Sequence, residues 1–108
     1  MMPRCFCINV ADNVATLLDD AAAGEIQILG ENTGQIVSTE AIALGHKIAL
    51  RDIAVGQPVV KFGISIGRAS REIRAGQWVH LHNCTSNFDA RSQTFDVHSG
   101  ATSDTKYE

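Results

Sequence analysis

Alternation of apolar and polar residues along the chain predicts a series of short β-strands. It is clearest in Arg4–Val10, Glu25–Leu29 and Trp78–Asn83, where successive side chains would point to opposite faces of a sheet. The same reasoning predicts further strands at Gln35–Thr39, from His46 through Leu50, at Pro58–Phe62 and within Gly63–Ala69. Turns that contain glycine separate these segments, so the pattern indicates a mainly β domain.

One segment departs from the alternation and predicts a helix. Within Asn13–Ala21 the apolar residues recur at helical spacing, and Asp12 or Asn13 would begin the helix as its N-cap. The apolar positions of this segment are Val14, Leu17, Leu18 and Ala21. One short amphipathic helix is therefore expected in an otherwise β structure.

Strand alternation also assigns the buried side chains. The predicted core residues are Ile48, Leu50, Val60, Ile66, Val79 and Leu81, with Trp78 at least partly buried. Strands this short seldom form a flat two-layer sandwich, so a compact, folded-over β arrangement or a small barrel is favoured. Residues 1–87 would form this domain, and residues 88–108 would form a polar C-terminal tail.

A weak internal repeat accompanies the turns. An acidic residue is followed four positions later by glycine at Asp20, at Asp52 and again at Glu72. Each copy is interpreted as a short turn that its acidic residue caps, closed by a glycine with positive φ and followed by a strand.

Charge and composition limit the classes of ligand and partner that the chain could bind. The 108 residues carry a net charge of −3, which argues against a nucleic-acid binder. Residues 46–91 nevertheless hold seven basic and three acidic residues, and this cationic zone suits an anionic small molecule or an acidic partner. A solvated face with neighbouring counter-charges is the alternative. No apolar run is long enough to span a membrane, and three cysteines without a secretion signal indicate reduced thiols in the cytoplasm.

Three histidines fall in or beside this zone. On a strand, His80 and His82 would share one face with Cys84, opposite Val79 and Leu81. Together with His46 they would make a workable donor set for Zn²⁺ or Fe²⁺, although no acidic residue at fixed spacing completes it. A polar face for an anionic ligand or a partner, and histidines with a structural role, remain the alternatives. No motif of independent catalysis is present.

Three segments together carry a resemblance to a known family. They are GHKIALRDIAVGQPVVKFG (Gly45–Gly63), ISIGRASREIRAGQWVHLHN (Ile64–Asn83) and the start of the chain with its predicted strand and helix. They resemble the N-terminal SAF domain of the altronate and galactarate dehydratases, which are sugar-acid hydro-lyases. The shared pattern includes Gly-His-Lys at position 45 and His-x-His-Asn at position 80, while Phe62 stands where tyrosine is usual. The small subunit of the sulfolactate sulfo-lyases is related.

The resemblance implies a β-clip fold and a place beside a larger catalytic region that uses a divalent metal, typically iron. The chain would be a small subunit or an N-terminal domain, inactive alone, whose partner holds most of the metal site. The composite site would dehydrate altronate or galactarate to a 2-keto-3-deoxy acid. The residues implied for catalysis are His46, His80 and His82, and those implied for substrate binding are Lys47, Lys61, Arg68 and Asn83.

Two alternatives to a dehydratase function remain open. The chain would be a non-catalytic ligand-binding or assembly module, or it would be the small subunit of a sulfolactate sulfo-lyase. A neighbouring gene for a larger partner without its own SAF domain would favour the enzymatic readings. A homo-oligomer is a further arrangement that the sequence leaves open, whereas nucleic acid and membrane are not expected as partners.

Overall fold

Nine strands make up the regular structure of residues 2–87, the part of the chain that the computed structural model describes. They are β1 (Arg4–Cys7), β2 (Val14–Leu17), β3 (Gly24–Gly30), β4 (Gly34–Ser38), β5 (Lys47–Ala49), β6 (Pro58–Lys61), β7 (Ile64–Ala69), β8 (Trp78–Val79) and β9 (Cys84–Ser86). The predicted tail, residues 88–108, lies outside the described residues. Within the described range, no helix has the length and apolar character needed to cross a membrane.

Six strands form the larger sheet, in the order β4-β3-β1-β2-β5-β8. Strands β1 and β3 are parallel and the other neighbours are antiparallel. One face of this sheet carries a first apolar cluster, whose buried members are Cys5, Cys7, Ala15, Leu17, Ala21, Ile26, Ile28, Ile42 and Ile48. Trp78, Ile36 and Leu50 pack against that cluster while partly exposed.

The smaller sheet, β6-β7-β9, covers part of the opposite face. A second apolar cluster lies between the two sheets and consists of Val14, Ala49, Ile53, Val59, Ala69, Ile73, Val79 and Cys84. The chain is therefore a compact β domain folded over on itself, and the expected mainly β fold is confirmed.

The predicted helix over Asn13–Ala21 is wrong, because this segment contains the central strand β2. Antiparallel neighbours flank β2 on both sides, and its residues are covered on both faces, with Val14 in one cluster and Leu17 in the other. A strand buried on both faces has apolar residues on both sides, and over a few residues that pattern looks like a helix.

The repeated turn is confirmed in form and corrected in its copies. Three segments, Ile42–Gly45, Ile53–Gly56 and Ile73–Gly76, end in a glycine with φ between 86° and 91°. In each, the N–H after the glycine donates to the carbonyl three residues earlier, at 3.0–3.1 Å. The copy that begins at Asp20 has no such bond. Two of the acidic residues accept from a neighbouring turn rather than their own, Asp52 from Ala75 N and Asp20 from Leu44 N.

The last predicted strand is also shorter than expected. Strand β8 holds only Trp78 and Val79, and residues 80–83 form a turn before β9 joins the smaller sheet. Of the predicted core residues, Ile48 and Val79 are fully buried, whereas Leu50, Val60, Ile66 and Trp78 are partly exposed. Leu81 is 55% exposed, because it lies on that turn, so its assignment to the core is wrong.

The equivalent turns allow a matched test of backbone strain. Gly56 and Gly76 have nearly the same φ, but only at Gly76 would an added Cβ overlap another group, the carbonyl oxygen of Val37. We expect Gly56→Ala to lose about 1–2 kcal/mol of unfolding free energy from its left-handed backbone alone. Gly76→Ala should lose about 1–3 kcal/mol more from the overlap. Urea denaturation of both variants measures the difference, and equal losses would contradict the close packing of Gly76 on β4.

Candidate functional site

Three histidines surround the one tryptophan of the chain. The Trp78 indole stacks on His80, with ring centroids 5.1 Å apart and planes 13° apart. The His82 ring lies 5.0 Å from Trp78 in a tilted arrangement, and the His46 ring meets both Trp78 and His80 edge to face, at 5.5 and 5.2 Å. We call these four residues the His–Trp cluster.

Strand pairing places His46 in this cluster. Residue Ile48 of β5 pairs with Trp78 of β8, and His46 lies two residues before Ile48, on the same face. The Trp78 Nε1–H donates to His46 Nδ1 at 3.2 Å. This bond leaves His46 with Nε2 as the nitrogen available for other contacts, because Nδ1 acts as the acceptor.

The turn after β8, rather than a strand, brings His80 and His82 to the indole. Asn83 is only 3% exposed and closes this turn with both ends of its side chain. Its Oδ1 accepts from His80 N at 2.9 Å, and its Nδ2 donates to the Trp78 carbonyl at 2.8 Å. Cys84, predicted to share the histidine face, is instead buried in the second apolar cluster. Asn83 thus acts within the turn that positions the imidazoles.

An open groove of about 440 Å³ ends at the His–Trp cluster. Its lining is mostly apolar and consists of Asp20, Ala21, Ala41, Ile42, Ala43, His46 and Trp78. The Asp20 carboxylate, which lines the groove, accepts a hydrogen bond from Leu44 N at 2.8 Å. A ligand or a partner segment seated in this groove would therefore touch the His46 ring and the indole.

The predicted lysines lie elsewhere. Successive residues of a strand point to opposite faces, so Lys47 faces away from His46. Its partner in β8 is Val79 of the second apolar cluster, which confirms that face. Burial, followed by the nearby Lys47 ammonium, lowers the pKa of Lys61, and Asp12 partly opposes this shift. Lys47 and Lys61 thus form a second cluster on the other side of the larger sheet.

Arg68 belongs to neither cluster. It is exposed on β7, where it pairs with Pro58 on one side and with Thr85 on the other. The seven predicted site residues therefore do not form one site. His46, His80 and His82 meet at Trp78, and Asn83 closes the turn that holds His80 and His82. Lys47 and Lys61 lie near each other on the other face, and Arg68 is separate from both groups.

The described residues were compared with the requirements of a metal site. In residues 2–87, no three His, Cys, Asp or Glu side chains stand where they could jointly hold a metal ion. The three free cysteines of the chain are buried. Burial, with a smaller effect of Cys7, raises the pKa of Cys5 to about 12, so its thiol stays protonated and packs as an apolar group.

Sequence reasoning missed two residues of this region. Trp78 was assigned only to the core, although it is the ring on which the three histidines assemble. Asp12 was assigned to a helix cap, although its buried carboxylate accepts three backbone N–H bonds, from Asn9, Phe62 and Gly63. The tryptophan next to His-x-His was a usable signal, whereas nothing near Asp12 in the sequence points to residues 62 and 63.

Comparison with known proteins gives a consistent result. A sequence model of the altronate/galactarate dehydratase SAF domain matches residues 3–87. Altronate dehydratase of Escherichia coli (strain K12) is 41% identical over 86 residues, which are 80% of this chain and 17% of that protein. Altronate dehydratase of Bacillus subtilis (strain 168) is 38% identical over 74% of this chain and 16% of its own length. The chain therefore spans about a sixth of these dehydratases.

A second group of relatives is shorter. The (2R)-sulfolactate sulfo-lyase subunit alpha of Chromohalobacter salexigens is 35% identical over 78 residues, which are 59% of this chain and 83% of that subunit. The name of this relative describes it as one subunit of an enzyme.

The turn geometry predicts different costs for two neighbouring side chains. Asn83→Ala should lower the unfolding free energy by about 1–3 kcal/mol, because it leaves His80 N and the Trp78 carbonyl without their partner. His82→Ala changes an exposed side chain and should stay within about 0.5 kcal/mol. Chemical denaturation of both variants tests this, and a near-neutral Asn83→Ala would show that Asn83 does not hold the turn.

Proposed function

The chain belongs to the altronate/galactarate dehydratase SAF-domain family, and on this premise we propose that it is the small subunit or the N-terminal domain of a sugar-acid hydro-lyase. A larger catalytic polypeptide would complete the active site, and the enzyme would dehydrate an aldonate or aldarate such as altronate or galactarate. The proposed location is the cytoplasm, where the thiols of Cys5, Cys7 and Cys84 would remain reduced.

The observation that carries this proposal is the His–Trp cluster. It lies inside the matched residues 3–87 and brings His46 to His80 and His82, more than thirty residues later in the chain, around one indole. The groove beside it is open, so a substrate or a loop of the larger polypeptide can reach the cluster. Imidazoles change protonation near neutral pH, which suits them to proton transfer.

The proposed reaction removes water from a 2,3-dihydroxy acid. A base takes the proton from C2, the C2–C3 double bond forms, and the C3 hydroxyl leaves with a proton as water. The enol then becomes a 2-keto-3-deoxy acid. In this scheme His46, positioned by the Trp78 indole, and His80 and His82 accept or return protons or hold substrate hydroxyls.

The divalent metal expected for this family is typically iron, and residues 2–87 contain no group of three side chains that could hold it. We therefore assign most of its ligands to the larger polypeptide. When bound, such a metal would stabilise the negative charge that develops on the substrate oxygens.

Substrate binding by cations is a separate part of the proposal. Lys47, Lys61 and Arg68 would attract the carboxylate end of the substrate. The two lysines lie across the sheet from the histidines, so the lysines and the histidines would contact different parts of the substrate. Asn83 would act on the substrate only through the histidine turn that it closes.

A second candidate function is suggested by the shorter relatives. The (2R)-sulfolactate sulfo-lyase subunit alpha is 35% identical over 78 residues. In this alternative the chain would assist the removal of sulfite from a sulfonated hydroxy acid. Assays against altronate, galactarate and sulfolactate with one larger partner distinguish the two reactions.

The test of the proposed function is reconstitution. The chain alone should turn over none of these acids, with or without Fe²⁺, whereas co-expression with a larger dehydratase polypeptide that lacks its own SAF domain should give activity. In that complex, His46→Ala and His80→Ala should each reduce kcat about 10²–10⁴-fold, because a group that transfers or positions a proton is lost.

The matched control is Val55→Ala, an exposed apolar residue on the turn equivalent to the one that precedes His46. It should leave kcat and thermal stability close to those of the unmodified complex. Histidine variants that melt far below the unmodified chain, yet keep normal activity per folded molecule, would show that the His–Trp cluster is scaffold. Turnover by the isolated chain at an ordinary enzyme rate would contradict the need for a partner.

A further inference from the structure

One hydrogen bond in the His–Trp cluster fixes where a histidine carries its proton. The Trp78 Nε1–H donates to His46 Nδ1 at 3.2 Å. An indole nitrogen can only donate, so the imidazole nitrogen that faces it must accept and therefore holds no proton. A neutral imidazole has a single N–H, so the bond selects the tautomer of His46 with its proton on Nε2.

The backbones on both sides of this bond are held in place. His46 N donates to the Ala43 carbonyl at 3.1 Å, and the His46 carbonyl accepts from Leu17 N at 2.8 Å. Trp78 N donates to the Glu40 carboxylate at 3.1 Å. The indole and the imidazole therefore meet through two separately anchored backbones, and the bond between them is built into the fold.

Ring packing also favours one orientation of the imidazole. His46 meets Trp78 at an interplanar angle of 72° and His80 at 62°, and both His46 and Trp78 are only partly exposed. A flip of the His46 ring would place a carbon atom at the indole N–H. The half-buried indole would then lose its acceptor, which costs free energy.

Both residues line the open groove of about 440 Å³. The rest of the lining is mostly apolar, and Asp20 is its acidic residue. A hydrogen bond in such surroundings is electrostatically stronger than the same bond in water. The Asp20 carboxylate would repel a carboxylate ligand, so a hydroxyl or carbonyl oxygen suits a donor in this groove better.

From this arrangement we infer that Trp78 is a positioning residue, which fixes His46 as a hydrogen-bond donor, through Nε2–H, to a hydroxyl or carbonyl oxygen in the groove. His46 is then not the base of the reaction, because Nδ1 is engaged and Nε2 already holds a proton. A neutral imidazole polarises an oxygen by donating to it without giving up its proton. The substrate oxygen rests on the proposed function, whereas the tautomer does not.

The tautomer is tested by ¹⁵N NMR on the full 108-residue chain at about pH 8, where imidazoles are neutral. We expect a scalar coupling across the hydrogen bond between Trp78 Nε1 and His46 Nδ1, and ¹⁵N shifts of a single tautomer at His46. The exposed His82 ring is the internal control and should show no coupling and a mixture of tautomers. Trp78→Phe, which removes the N–H and keeps an aromatic ring, should return His46 to such a mixture.

The role of His46 is tested in the reconstituted complex. In His46→Gln the amide oxygen can accept from the indole and the amide N–H can still donate, but the side chain cannot act as a base. We therefore expect His46→Gln to keep kcat within about tenfold of the unmodified complex, while His46→Ala loses about 10²-fold or more. Trp78→Phe should lower kcat by about threefold to tenfold. Amide spectra confirm that each variant is folded.

Three results would overturn the inference. They are the absence of the coupling in the folded chain, a His46 tautomer that Trp78→Phe leaves unchanged, and a His46→Gln complex as inactive as His46→Ala. The last result would show that His46 transfers a proton. A complex that is inactive with the unmodified chain contradicts the proposed function instead, and the NMR measurements still decide the tautomer.

Discussion

Two adjacent side chains, Asp12 and Asn13, join the two sheets, and the cover over one face of the larger sheet depends on this junction. The fully buried Asp12 carboxylate accepts N–H bonds from its own loop at Asn9 and from the hairpin tip at Phe62 and Gly63. Asn13 extends the contact along β6, where its amide accepts from Val60 N and donates to the Pro58 carbonyl. A buried carboxylate requires such donors, so the junction fixes where the smaller sheet can sit.

This junction also explains why the chain offers two different surfaces. The face of the larger sheet that the smaller sheet partly covers carries Thr16 and the buried Lys47. The opposite face ends at the short β5–β8 edge, where His46 and Trp78 meet the turn that Asn83 closes. Strand β5 contributes to both surfaces, since consecutive residues His46 and Lys47 point in opposite directions. Imidazole chemistry and cationic attraction are thus divided between two sides of one strand.

Much of this architecture could be predicted from sequence. The hairpin Glu25–Thr39, strand β7 and the glycine-ended turns follow from local alternation and from the need for positive φ. The helix expected at Asn13–Ala21 does not form, and its two expected capping residues bond to distant parts of the chain instead. Asn13 bonds to Pro58 and Val60 of β6, and Asp12 bonds to Phe62 N and Gly63 N, 45–51 residues away in sequence. No local pattern reports a partner at that distance.

The three histidines of the His–Trp cluster were picked out from the sequence, but their arrangement was not predicted. His46, His80 and His82 do meet, yet through a turn and an indole rather than along a strand face. The alternation of apolar and polar residues continues past Val79 in the sequence. The chain nevertheless turns there, because the Asn83 side chain bonds to His80 N and to the Trp78 carbonyl, and because Asn83 N and Cys84 N donate to the His80 carbonyl. The separation of Lys47 from His46 was implicit in strand periodicity once β5 was located.

The position of Trp78 also makes its fluorescence a probe of the His–Trp cluster. The chain contains a single tryptophan, and its ring touches three imidazoles at the end of an open groove. Indole emission is sensitive to neighbouring imidazoles and to exposure to water, so its intensity and wavelength carry information about this one location. Docking of a larger polypeptide, or entry of a ligand into the groove, can thus be followed optically in unlabelled protein.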